Sequence, residues 1–297
     1  MIKDFVNGSD LLNLCHEEEK KIWEVMIERE TYISGKSKEE IMEYMWGNLK
    51  IMKNAIERGL QEEIKSVSGL VGGDAKRLRI YYETKKTLAG EQMNKAVASA
   101  MAVLEVNASM GQIVAAPTAG SSGILPGVLI SAGQDFGFDD EVIVQGLFTA
   151  AAVGYIITRN ATVAGAEGGC QAETGAAAAM AAAGLVEMMG GTPEQALHGA
   201  AMTIKNILGL VCDPIAGLVE APCVKRNAIG AANAYISADM ALAGIQSIIP
   251  FDEVVDAMYK VGQSIPCSLR ETALGGLAAT PTGKKIYEKV FGSKEQK

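Results

Sequence analysis

Between Cys170 and Met189 the chain reads CQAETGAAAAMAAAGLVEMM, and this run constrains the fold more than any other. Alanine is the strongest helix former, because it gives up no side-chain freedom when the backbone coils. A helix of such small side chains also lets its neighbours come close, so the run belongs at the centre of a helical bundle. Hydrophobic residues make up 48% of the 297, yet only 5% are aromatic, so the core must be built from Ala, Val, Ile, Leu and Met. That length can bury a full core. No period-two alternation persists, and short strands near 113–116 are the most β-structure expected. The predicted fold is mostly α: a single helical domain with an Ala-rich buried central helix and at most a few short strands.

A second apolar run, VIVQGLFTAAAVGYII at 142–157, is shorter than the ~20 residues that span a bilayer and holds Gln145 and Thr149. It reads as a helix buried on all sides, so no membrane partner is expected. A net charge of −8 argues against nucleic acid, whose phosphates reward a basic face. Five cysteines, an odd number, and a start without a signal-peptide pattern point to a reducing cytoplasm.

Charge is unevenly spread. Residues 1–96 carry 16 Lys/Arg and 17 Asp/Glu, whereas residues 97–283 carry 6 and 16. The first part is therefore expected to form charged amphipathic helices that act as scaffold, with 97–291 as the buried working core and 292–297 as a tail. Ser9 or Asp10 is placed to cap a helix through Leu11, Leu14, Ile22, Met26 and Ile27. Ser37 to Glu40 is a capping box, and Thr192-Pro193-Glu194-Gln195 is another, with proline at the first helical position. Residues 68–74 break the helical run, 91–114 resume it, and a further helix starts near Asp252.

Three cysteines lie among turn residues: GGCQ at Cys170, VCDP at Cys212 and APCV at Cys223. Cys170 opens the Ala-rich helix, where the positive end of the dipole favours a thiolate; Cys212 and Cys223 are expected in irregular turns. Free cysteines are often simply buried, but three in such surroundings form an incomplete cage. Thiolates suit zinc or iron–sulfur centres. A structural zinc takes four protein ligands, whereas a site that acts on substrate keeps one position open. An electron-transfer cluster usually has four closely spaced cysteines, which this chain lacks.

The runs NATVAGAEGGCQAETGAAAAMAAAGLVE (160–187), KNILGLVCDPIAGLVEAPCVKRNAIGAANA (205–234) and ETALGGLAATPTGK (271–284) resemble the iron–sulfur L-serine dehydratases, specifically the catalytic alpha chain of the two-subunit form. PTAGSSGILPG (117–127) and GGDAKRL (72–78) extend the resemblance to nearly the whole chain. It implies a [4Fe–4S] cluster on Cys170, Cys212 and Cys223, no pyridoxal phosphate, and conversion of L-serine to pyruvate and ammonia by β-elimination. The open iron would serve as Lewis acid for the hydroxyl. It also implies a beta subunit in a hetero-oligomer, corresponding to an N-terminal region of single-chain members that brings a histidine motif. This chain offers only His16 and His198, so the partner is expected to contribute to the site, with the base on one chain or the other. Single-chain members end in a cysteine that caps the open iron; this chain ends in Lys297, so no capping by the tail is expected.

Such a reaction needs groups for the substrate carboxylate and positive charge near the thiolates. Thr118, Gly120, Ser121, Ser122 and Gly123 form a small-residue loop that could present amides and hydroxyls to an anion, or be an ordinary turn. Lys205 and Arg226, two of the six basic residues between 97 and 283, are the candidate cations, with structural ion pairs as the alternative. Asn160, Thr162 and Glu167 precede Cys170 and are candidates for bonds to cluster or substrate. Cys15 and Cys267 read as structural. The competing reading of the whole is a zinc-binding or structural protein that uses the same three thiols.

Overall fold

The computed structural model describes residues 4–292, and among these it contains thirteen α-helices and no sheet. The last five residues of the expected tail, 293–297, lie outside the described residues. The helices are α1 (Gly8–Glu17), α2 (Ile22–Ser34), α3 (Lys38–Gln61), α4 (Asp74–Thr84), α5 (Gly90–Ala108), α6 (Ile124–Phe136), α7 (Asp140–Asn160), the single turn α8 (Gly165–Gly168), α9 (Cys170–Met188), α10 (Pro193–Lys205), α11 (Cys223–Leu242), α12 (Phe251–Ser264) and α13 (Pro281–Phe291).

The Ala-rich run is α9, and every residue from Thr174 to Met188 is buried. It packs against α6, α7, α10 and α11. Its small side chains act as expected: a Cβ on Gly184 would stand 2.7 Å from the Gly146 carbonyl oxygen of α7, so the two backbones nearly touch. One continuous apolar core runs from Phe5 to Met258 and includes residues of the charged first part as well as of the later helices.

The structure corrects the sequence in several places. The helix holding Val142–Ile157 runs from Asp139, its cap, to Asn160, which by length and composition could cross a membrane; 67% of its apolar window is buried, so burial rather than length puts it in the core. The first predicted helix is two, broken at Glu18–Lys21. Its cap is Asn7, whose side chain accepts from the Asp10 amide at 2.7 Å. Ser9 turns instead to α12, donating from both its amide and its hydroxyl to Asp252, a long-range tie that a local capping pattern cannot reveal. α5 stops at Ala108, where Met110 takes a left-handed turn (φ 62), and 113–116 is not a strand. The one β-bridge among the described residues pairs Cys212 with Arg270. Cys223 is not in an irregular turn: it is the first residue of α11. Both capping boxes form, at Ser37/Glu40 and Thr192/Gln195.

Candidate functional site

Cys170 and Cys212, forty-two residues apart, lie within hydrogen-bonding reach where α9 begins, and Cys223, at the start of α11, lies within electrostatic range of Cys170. Gly169 ends the α8 turn, and its left-handed φ of 75° starts α9 at Cys170. The first turn of α9 then holds the Cys212 loop in place. The Gln171 amide donates to the Leu210 carbonyl at 2.9 Å, and the Gln171 side chain accepts from the Gly209 amide at 2.9 Å. From the other side the chain near Arg270 grips the loop: the Cys212 amide donates to the Leu269 carbonyl at 2.8 Å and its carbonyl accepts from the Glu271 amide at 2.7 Å. Cys170 and Cys212 are buried and Cys223 is half-buried.

The thiols sense one another. Hydrogen bonding between Cys170 and Cys212 pulls the Cys170 thiol below its ordinary value, with Thr174 and Arg226 helping, and raises Cys212. Burial first, then the charge of Cys170 and Glu173, pushes Cys223 up to about 12. Arg226 sits beside them: it donates to the Val211 carbonyl at 2.8 Å and to Asp213 Oδ1 at 2.7 Å, and it also faces the Cys170 sulfur. Asp213 in turn accepts from the Leu277 amide through Oδ2 at 2.7 Å.

Glu173, unremarked in the sequence reading, completes the pocket. It lies three residues after Cys170, one helical turn along the same face. Its Oε1 accepts from the Thr118 hydroxyl at 2.8 Å. A Cβ on Gly165 would stand 2.8 Å from Glu173 Oε2 and 3.1 Å from Cys212 Sγ, so the glycine is what leaves room for carboxylate and thiol together. Burial pushes the Glu173 carboxyl up to about 7; the Thr118 hydroxyl opposes this, while Cys170 and Glu271 reinforce it. The signal was present in the sequence, since Glu173 is the one charged residue between Cys170 and Val186.

The 118–123 loop does reach this pocket. Thr118 and Ser121 hydroxyls pair at 3.0 Å beside Glu173, and Asn227 of α11 ties the loop down, donating to the Gly120 carbonyl at 2.8 Å and accepting from the Gly123 amide at 3.1 Å. The Ser122 hydroxyl is engaged locally with the Ala119 carbonyl. Thr162 donates to Glu167 at 2.6 Å in the turn leading to Cys170. Two candidates make their contacts elsewhere. Lys205 donates to the Ser247 carbonyl at 2.5 Å, and Asn160 to the carbonyls of Val6 and Ile156. His198 accepts from the Ser247 amide at 3.4 Å. Cys15 is buried on α1, and Cys267 is exposed just before the Arg270 bridge.

Three soft donors from three segments, a guanidinium beside them and a glycine that keeps the space open suit a thiolate-held metal group. No three His, Cys, Asp or Glu side chains among the described residues converge tightly enough to enclose a single ion. The fold and the cluster thus define a class: a helical protein with thiols and a carboxylate gathered at the start of its central helix.

The comparisons narrow the class to a family. The profile described as serine dehydratase alpha chain matches residues 17–278. A probable L-serine dehydratase alpha chain of Bacillus subtilis is 53% identical over 97% of this chain and 96% of its own length. The L-serine dehydratase alpha chain of Peptoniphilus asaccharolyticus is 51% identical over 93% and 95%. L-serine dehydratase 1 of Escherichia coli is 36% identical, and there 92% of this chain covers 61% of the relative. The chain belongs to the serine dehydratase alpha chain family.

Proposed function

We propose that this chain is the catalytic alpha subunit of a lyase that converts L-serine to pyruvate and ammonia, with a [4Fe–4S] cluster on Cys170, Cys212 and Cys223. The observation that carries the reading is the gathering of these three cysteines, from two helix starts and one clamped loop, beside Arg226 and Glu173. A cluster held by three protein thiolates supplies a Lewis acid that makes hydroxide a better leaving group.

The chain's own residues supply the surroundings. Arg226, fixed by Asp213, offsets the negative charge gathered by the thiolates. The hydroxyls of Thr118 and Ser121 and the adjoining loop offer hydrogen bonds to a small polar substrate. The packed helices behind α9 exclude water, which strengthens each of these interactions. A beta subunit fits the lengths of the relatives: those that match end to end are alpha chains, and L-serine dehydratase 1 of Escherichia coli extends well beyond the matched part. A reducing, cytoplasmic setting suits five free thiols.

The test is metal analysis and an absorption spectrum of protein purified without oxygen, together with pyruvate release from L-serine. About four irons per alpha chain and a brown, oxygen-sensitive enzyme are expected. A colourless protein holding one zinc, or an iron-free enzyme with full activity, would overturn the proposal.

A further inference from the structure

The buried carboxylates of this protein share a pattern, and the half-buried Glu173 stands outside it. Glu105 accepts from the amides of Gly73 and Asp74 at 3.1 and 2.8 Å, where α4 begins. Glu187 accepts from the amides of Ile22 and Trp23 at 3.0 and 3.3 Å, where α2 begins, and from the Thr149 hydroxyl at 2.6 Å. Glu220 takes two serine hydroxyls, from Ser66 and Ser68, and the Ser68 amide. Asp213 has Arg226 and the Leu277 amide. Each is met by several donors, as a carboxylate taken out of water requires.

Glu173 is met by the hydroxyl of Thr118 alone, and the other groups that act on it, Cys170 and Glu271, are acids. The pocket's cation, Arg226, is held away by Asp213 and Val211. Small residues line the carboxylate on two sides: Gly165 at Oε2, and Gly120, whose Cβ would stand 3.1 Å from Oε1. The arrangement is a half-buried carboxylate with glycine backbone close on two sides, part of its surface open, and no cation bonded to it.

We propose that Glu173 receives the ammonium group of the substrate, and is therefore the residue that selects an amino acid over a hydroxy acid. This rests on the reading of the pocket as a serine site and adds what the thiols cannot supply. The ammonium brings the positive charge and the N–H donors that the buried carboxylates obtain from backbone or arginine. It also fixes which end of a small zwitterion faces the thiols and which faces Glu173.

The experiment compares Glu173→Gln and Glu173→Asp with the parent, each as oxygen-free holoenzyme with its beta subunit and measured iron content. Two non-reacting probes are titrated calorimetrically: L-alanine, which keeps ammonium and carboxylate, and 3-hydroxypropanoate, which keeps carboxylate and hydroxyl. Loss of one charged hydrogen-bonded contact predicts that Glu173→Gln weakens L-alanine and raises KM for L-serine by about tenfold to hundredfold. Binding of 3-hydroxypropanoate and the iron content should be unchanged, and Glu173→Asp should fall between. Equal loss of both probes would overturn the proposal, as would loss of iron in both variants. A fall in kcat with KM and alanine binding intact would overturn it too, by making Glu173 a proton acceptor. A parent enzyme with full iron that binds L-alanine but leaves L-serine unchanged would defeat the serine reading and not this one.

Discussion

The two ends of α9 hold a glutamate each, and they have opposite fates. At the far end Glu187 is embraced by two amides of α2 and a threonine hydroxyl, so it locks one helix onto the start of another. At the near end Glu173 shares its turn with Cys170 and has one hydroxyl for company. Burial raises both carboxyls above the usual glutamate range. What differs is the completeness of the shell: one end has been finished by the protein, and the other has been left for something else to finish. Glu187 ties helices together, and under our proposal Glu173 keeps its place for the substrate ammonium, the division expected where a site departs from local consistency.

The largest effect should come from the unfinished end. Cys170→Ser, Cys212→Ser or Cys223→Ser should each abolish serine turnover and remove iron, while Cys15→Ser, buried on α1, should keep both; iron content and pyruvate assays decide it. Equal loss in all four would erase the contrast. Next, Glu187→Ala leaves the Ile22 and Trp23 amides without their acceptor, for a cost of about 3 kcal/mol and a melting temperature roughly 5 °C lower or more. Iron content and KM of the folded fraction should hold.

A gentler probe is pH. An acid whose folded pKa lies above its unfolded value, as with Glu187 above 4.5, helps the folded state when protonated. That help is fully present below 4.5 and is lost as pH rises through the raised folded value. Denaturant unfolding across this window should therefore show a downward contribution that Glu187→Gln removes, making its pH profile flatter than the parent's. The smallest effect belongs to a place remote from both ends: Ser37→Ala removes the α3 cap and should cost about 1 kcal/mol with no change in turnover.

What could be read from the sequence was whatever is local or compositional. Alanine content announced α9, the boxes at Ser37 and Thr192 announced α3 and α10, and turn residues marked the three cysteines. Long-range ties were hidden. Asn7 caps α1 because Ser9 is drawn to Asp252, more than 240 residues away, and no window over the first helix contains that fact. Arg226 was picked out by the scarcity of positive charge and does lie in the pocket, while Lys205, chosen by the same argument, bonds to Ser247. Scarcity says that a charge matters without saying where. Glu173 stands alone as an acid in an Ala-rich run, and nothing local to that run shows that Thr118 and Gly165 pack against it.

The grip on Cys212 has a consequence for how the chain is made. Its amide and carbonyl are held by Leu269 and Glu271, and the neighbouring Asp213 by Leu277. None of these partners exists until more than fifty residues after Cys212 have been synthesised. Cys170 and the start of α9 can take shape while translation is under way, but the loop that faces them cannot be clamped before residues 269–277 have been made. The Cys212 loop is therefore fastened by a stretch of chain made well after it.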